Sequence, residues 1–405
     1  MRAAQNGTFP RGNPFTRKCP KARRSKTGAR PSESVFIRVH LWFFLLGLTN
    51  CFSLVNHTVK FKSMKLHIIL LAATMLAVSA QAQDKPDAFM GDWQGSVSIG
   101  AQTQVVSVYM IPLDQGNYEA RMVGSFSERG PYLFRLRGMI RNDQFRFLDD
   151  VPLNASQVAG ITEKGVVFAA SLWSGNLTGD SVQGSVTGRQ TGSFELRKTK
   201  RVSPDLGQRP PAGALILLDG SNLAQWHKRD SANPIGWKLL TNGVMEVAGG
   251  GDIVSKEQFG DHQLHVEFRL PYMPGSFGQG RANSGVYVQS RYEIQVLDSY
   301  GLEGFDNECG GFYQIKGPVV NMCAPPLQWQ SYDVVFHSAK RDANGKKSAN
   351  ARITVVHNGV VIHDDFELPH ATPGSVNEKE GEPAGLLLQD HGNPVQYRNI
   401  WVKRL

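Results

Sequence analysis

The stretch GQGRANSGVYVQSRYEIQVLD, Gly278 to Asp298, decides the fold. Tyr287, Gln289 and Arg291 alternate with Val286, Val288 and Ser290, and Glu293 and Gln295 alternate with Ile294 and Val296. Successive side chains of an extended chain point to opposite sides, so this period of two belongs to strands buried on one face. The stretch predicts two adjacent strands around the Asn283-Ser284-Gly285 turn, apolar side inward. The outward side carries long hydrogen-bonding and acidic arms on rigid backbone, a surface suited to holding ring hydroxyls.

Alternating runs continue on both sides of this stretch. From Ala214 onward about twelve short strands are expected, among them Asp261 to Leu270, Ser331 to His337, Ala351 to His357, Ala384 to Gln389 and Val395 to Val402, and no amphipathic helical window competes. Asn358-Gly359 between β-branched runs marks a two-residue hairpin. With long connections at Pro271 to Ala282 and Ser299 to Pro326, the pattern fits a two-sheet jelly-roll sandwich. Upstream, short runs from Trp93 to Ile99 through Gly165 to Ser171 and on to Ser193 to Lys198 predict a small antiparallel barrel or meander. Gly91-Asp92-Trp93 is similar to the opening of up-and-down ligand barrels, although a Trp plugging the barrel end accounts for it better. Between the two lies SPDLGQRPPAG, where Pro210-Pro211 forbids helix and removes ladder donors. The expected organisation is all-β: a small domain at 84–202, a linker at 203–213 and the jelly roll at 214–405.

The N-terminal region reads differently. Residues 1–63 carry twelve Lys or Arg against the single acid Glu33, a net +11, so the formal +9 of the whole chain leaves −2 for the remainder. The basic character therefore belongs to a leader, read as an upstream start, and a nucleic-acid partner is not supported. Met64 to Ala82 has the charged, apolar and small-residue parts of a secretory signal, with cleavage expected before Gln83 and a secreted or periplasmic product. Its apolar run, Ile68 to Val78, falls short of the roughly 20 residues that span a bilayer, so no membrane anchor is expected in the mature chain.

Several blocks carry a more specific signal: LLDGSNLAQW at Leu217 to Trp226, HVEFRLP at His265 to Pro271, NSGVYVQSRYEIQVLDSYG at Asn283 to Gly301, DNECGGFYQ at Asp306 to Gln314, PPLQWQSYDVVF at Pro325 to Phe336, VHNGVVIHD at Val356 to Asp364, and LLLQDHGNPVQYRNIWV at Leu386 to Val402. Taken in order, they resemble the 3-keto-disaccharide hydrolase family, secreted jelly rolls similar in fold to concanavalin-type lectins and glucanases. The resemblance implies action on glycosides already oxidised at carbon 3. A ketone there acidifies the carbon-2 proton, so a base can remove it, the group on carbon 1 leaves by elimination, and water adds back. Such a protein needs a base, a donor or metal for the enolate oxygen, and an acid for the leaving oxygen.

Strand parity supplies candidates. In DHQLHVEFRL, Leu264, Val266, Phe268 and Leu270 form the core face, so His265, Glu267 and Arg269 project together, expected beside Glu293 and Gln295. Glu293 and Glu267 are the candidate bases, and His391, at a strand end and tunable near neutral pH, a third catalytic candidate. His265, Arg269, Asn283, Tyr287, Gln289, Gln295, Asp298, Trp329, Gln389 and Arg398 are expected to bind substrate, with Tyr300, Phe312 and Tyr313 as further rings for stacking, while Trp226, Trp237 and Trp401 read as core. A competing mechanism is retaining hydrolysis by Glu293 and Asp298. Five residues along a strand separate Cα atoms by roughly 16 Å, whereas retaining carboxyls approach to about 5 to 5.5 Å. A non-catalytic carbohydrate-binding module is the third reading. Cys309 and Cys323, the cysteines left after export, are expected to form a disulfide, closing a loop that contributes about 3 kcal/mol. No cofactor is demanded, although Asp306, Asn307 and Glu308 offer oxygen ligands for a divalent metal ion.

Overall fold

The computed structural model describes residues 87–149, 170–376 and 379–405. The leader, the signal-like segment and its cleavage point, and most of the strand expected at Gly165 to Ser171 lie outside the described residues. Described residues from Asp87 onward belong to one compact unit.

Eight antiparallel strands between Gly91 and Lys198 close into a barrel, first strand pairing with last. Its sixth strand is Ser171–Thr178, in a segment, SLWSGNLT, whose Ser-Gly-Asn hides the alternation. The barrel interior is filled by its own side chains. Trp93 is 2 % exposed and caps one end with Nε1 donating to the Phe89 carbonyl at 3.0 Å, while Trp173, Phe145, Phe147 and Phe194 pack deeper. The Gly-Asp-Trp opening is thus a barrel plug.

The second part is a sandwich of two antiparallel sheets. The larger is built around His262–Arg269, flanked by Trp329–His337 and Gln396–Arg404. The smaller has the order Trp226–Lys228, Ile253–Ser255, Leu387–Leu388, Ser284–Val288, Tyr292–Val296. Between the sheets, Leu264, Val266 and Phe268 meet Val286, Val288, Ile294 and Val296 in one apolar core. Trp226, Trp237 and Trp401 are buried, as their surroundings predicted. The short strands Trp226–Lys228, Lys340–Arg341 and Lys347–Ala349 carry too few residues to show alternation.

Barrel and sandwich share a dense boundary. The sandwich core extends onto Tyr109, Ile111, Val123 and Phe126 of the barrel wall. Buried Asp92 accepts hydrogen bonds from Tyr300 Oη at 2.7 Å and from Arg201 at 2.9 and 3.1 Å. The segment 203–213 is not a free tether. It lies on the outer face of the larger sheet, where Ser203 bonds Ser331 at 2.7 Å and the Gly207 amide donates to Glu267 at 2.5 Å. No helix among the described residues is long and apolar enough to cross a membrane.

Candidate functional site

The hairpin Ser284–Val288/Tyr292–Val296 pairs Tyr287 with Glu293 and Gly285 with Gln295. Its turn is Gln289-Ser290-Arg291, with Gln289 and Ser290 at φ 50° and 51°, whereas Asn283-Ser284-Gly285 enters the first strand instead of turning. With Val286, Val288, Ile294 and Val296 turned into the core, Tyr287, Glu293 and Gln295 face outward from the smaller sheet. They floor a cleft of ≈ 280 Å³ that Asn283, Gln389 and His391 also line. Gly285 is required here: a Cβ would collide with Glu293 Oε1 and lie 2.8 Å from the Tyr287 ring.

Glu293 dominates the electrostatics. It is 3 % exposed, Oε1 meets no hydrogen-bond donor, and no cation pairs with it among the described residues. Burial raises its pKa from 4.5 to about 7, opposed by a hydrogen bond from Tyr287 and reinforced by the charge of Asp252. The Thr372 hydroxyl accepts the Glu293 amide at 2.9 Å. Burial, and then the charge of Glu293, drive the Tyr287 phenol well above its usual pKa, so it remains an O–H donor. Gln389 Nε2 donates to Tyr287 Oη at 3.2 Å, and Gln389 Oε1 is buried without a partner. Gln295 Nε2 donates to Asn283 Oδ1 at 2.8 Å. His391 stands exposed at the rim. The cleft thus offers one strongly perturbed carboxyl, two phenols, an imidazole and four amides.

Other expected site residues lie elsewhere. Glu267 is on the outer face of the larger sheet, so the whole sandwich separates it from Glu293. Burial would raise its pKa, but His265 first, at 3.4 Å, and then Asn399 at 2.8 Å, the Gly207 amide and Arg398 at 2.6 Å hold its carboxyl at about 2. It is a structural anion, not a base. His265, on the same face, bonds Asp333 at 2.7 Å and stacks on Trp401. Burial lowers its pKa, but the bonds and charges of Asp333 and Glu267 prevail and raise it to about 9. Arg269 bonds Gln396, and Arg269 and Arg398 flank Trp329 with guanidinium carbons 5.3 and 4.1 Å from the ring centroid. Parity placed these side chains outward correctly; pairing with a different sheet removed them from the cleft.

Gln289 is consumed at the hairpin turn, donating to the Phe259 carbonyl at 2.8 Å. Asp298 is buried against Arg281 at 2.5 Å and does not line the cleft, because the chain has left the sheet after Val296. Tyr300 is buried against the barrel, and Phe312 packs on His363 and Phe366, so neither stacks on a ligand in the cleft, whereas Tyr313 lines it. Cys309 and Cys323 are not bonded to each other. They are buried neighbours, with Cys309 Sγ 3.2 Å from Tyr332 Oη and Cys323 Sγ donating to the Leu297 and Ala324 carbonyls. In the 306–308 loop, Glu308 accepts the Gly304 and Phe305 amides and Asp306 the Gln314 amide, so these carboxylates brace their own loop. Among the described residues no group of three or more His, Cys, Asp or Glu is placed to hold a metal ion.

Gln279, Pro373 and Gly374 complete the cleft, and no local pattern announced them. Gly374, at φ 82°, belongs to a loop pinned on the hairpin by the Thr372 and Val376 amides, which donate to the Arg291 and Ser290 carbonyls.

A polar cleft on the outer face of the smaller sheet of an all-β sandwich, with one buried carboxyl without a cation partner at its floor, belongs here to a carbohydrate-active protein of the glycosyl-hydrolase type. Residues 213–403 match the 3-keto-alpha-glucoside-1,2-lyase-like domain, and the chain belongs to that family. Among solved structures, a "putative glycosyl hydrolase" of Parabacteroides distasonis is 31% identical, covering 48% of this chain and 85% of its own, with a TM-score of 0.45. A second one from the same organism is 19% identical over 48% of this chain and 94% of its own, with a TM-score of 0.36. No curated protein matches the chain.

Proposed function

We propose that the cleft cleaves glycosides oxidised at carbon 3, with Glu293 as the base that removes the carbon-2 proton. The observation that carries this reading is the buried Glu293 carboxyl, without a cation partner and raised to about 7, on the floor of a polar cleft. A carbon acid beside a ketone needs a base stronger than an ordinary carboxylate but still ionised near neutrality. As the proton leaves, the electron pair moves into the carbon-2–carbon-3 bond and onto the ketone oxygen; the enolate then collapses, the ketone re-forms, a carbon-1–carbon-2 double bond is made, and the carbon-1 oxygen departs with the electrons of its broken bond. Tyr287 is the donor suited to the enolate oxygen, and His391 at the rim is suited to protonate the leaving oxygen. Water then adds to give the free 3-keto sugar.

Retaining hydrolysis would need a second carboxyl about 5 to 5.5 Å from the first. Glu293 is the only carboxylate lining the cleft among the described residues, and Asp298 is committed to Arg281. Export, expected from the segment after Met64, would bring the chain to extracytoplasmic glycosides, and N-terminal sequencing of exported protein should begin near Gln83.

The deciding experiment offers the protein a glucoside and its 3-keto counterpart. The plain glucoside should be inert, and the 3-keto substrate should exchange its carbon-2 proton with solvent and react more slowly when deuterated there. Rapid cleavage of plain laminarin or cellobiose without an isotope effect would refute the proposal. Binding with turnover of neither would instead support a carbohydrate-binding module.

A further inference from the structure

The turn Gly278–Gly280 is a thin wall between two cavities. On one side Gln279 and Asn283 line the cleft. On the other, Phe277, Gly278 and Arg281 line a second cavity of ≈ 260 Å³ at the seam of barrel and sandwich, whose far wall includes Leu113, Arg121 and Arg137 of the barrel. Gln279 is the one residue of the crest with a side chain, and it is turned to the cleft, its Nε2 donating to the Asn307 carbonyl at 2.7 Å. Gly278 and Gly280 have no side chains, and open space surrounds the position a Cβ would take at each. A molecule bound in the cleft could therefore pass over the crest into the seam.

The seam chemistry differs from that of the cleft. Phe277 leaves 68 % of its surface exposed at the mouth, while Ile111, Leu113 and Leu302 supply apolar walls. Arg281 is fixed by Asp298 at 2.5 Å and by the Pro112 carbonyl at 3.3 Å, so its guanidinium is a rigid planar surface. Arg137 reaches Glu119 at 3.5 Å on the barrel side. Aromatic rings stack on both Phe and guanidinium planes.

We propose that the seam cavity receives the group leaving from carbon 1 and selects a planar aromatic aglycone, so that the barrel takes part in substrate selection. This rests on the reading of the neighbouring cleft as the sugar site. An aryl leaving group also suits the chemistry, since a phenolate departs with little help from an acid.

The test is binding of unoxidised para-nitrophenyl glucoside and methyl glucoside, both anomers, to the full chain by titration calorimetry. Neither probe carries the ketone that the proposed reaction requires. The wild type should bind the aryl glucoside about tenfold more tightly than the methyl glucoside. Phe277→Ala should erase most of that preference while leaving methyl glucoside affinity unchanged, and Phe277→Trp should retain it. Because Phe277 is exposed, both variants should fold; circular dichroism would check this. Equal wild-type affinity for the two glucosides, or an equal effect of Phe277→Ala on both, overturns the assignment. If the aryl preference persists but 3-keto substrates are not turned over, the subsite stands and the reaction reading falls. Turnover without aryl preference is the reverse.

Discussion

Replacing Glu293 by Gln should abolish turnover and stabilise the fold, and the second effect can be worked from the structure. The group is 3 % exposed, and its pKa rises from 4.5 to about 7, chiefly through burial. The folded state therefore holds the proton more tightly than the unfolded chain. Below pH 4.5 both states are protonated and the group contributes nothing. Between pH 4.5 and 7 the unfolded chain ionises first, so stability falls as pH rises; above 7 the loss is complete. A shift from 4.5 to about 7, at about 1.4 kcal/mol per pH unit, makes that loss roughly 3 kcal/mol. Glu293→Gln keeps the shape without the charge, so it should gain roughly 3 kcal/mol relative to wild type at pH 8.5 and far less at pH 4.5. Urea unfolding of both proteins at the two pH values, followed by tryptophan fluorescence, measures the difference. Any cost of the amide itself appears at both pH values and cancels. A stability difference that does not change with pH, or a pH–rate profile flat between pH 5.5 and 7.5 with 3-keto substrate, would show that Glu293 is not the perturbed group described here.

Other consequences are open to direct measurement. His265, raised from 6.5 to about 9, stabilises the fold fully below pH 6.5 and loses that contribution as pH rises through 9; His265→Gln should therefore cost roughly 3 kcal/mol more at pH 6 than at pH 10. A pH-independent cost would contradict the Asp333–His265–Glu267 charge arrangement. Gly374→Ala places a methyl group 2.8 Å from Tyr287 Oη at a backbone φ of 82°, so it should cost about 1 kcal/mol of stability and lower kcat for the 3-keto substrate. Unchanged kinetics would remove Tyr287 from the donor role. Cys309 and Cys323 should resist thiol reagents in the folded protein and both react after unfolding without reductant; no reaction after unfolding would mean that they are bonded.

Much of the fold was written locally. Alternation from Gly91 to Lys198 and again from Leu215 to Arg404 reflects the pleat itself, since a side chain's face depends only on its position along its own strand. The same rule put Tyr287, Glu293 and Gln295 outward together, because a short hairpin makes their pairing local as well. Gln389 and His391, at the end of a neighbouring strand of the same sheet, also reached the cleft that their parity suggested.

What parity does not contain is the identity of the sheet a strand joins. His265, Glu267 and Arg269 have the right face of the wrong sheet: their strand pairs with Trp329–His337 and Gln396–Arg404, and the Glu267 anion is held by Arg398, Asn399 and the 203–213 segment. That partnership joins residues from about 60 to about 140 positions apart and is fixed by packing two sheets around a common core, not by any neighbour in the chain. Tertiary structure likewise turned Asp298 into the buried partner of Arg281 and brought Gln279, Pro373 and Gly374 to the cleft. Sequence determined which side chains could face outward; only the closing of the two sheets decided that Glu293 alone among the expected carboxylates would sit buried without a cation at the cleft floor, which is the physical origin of its raised pKa.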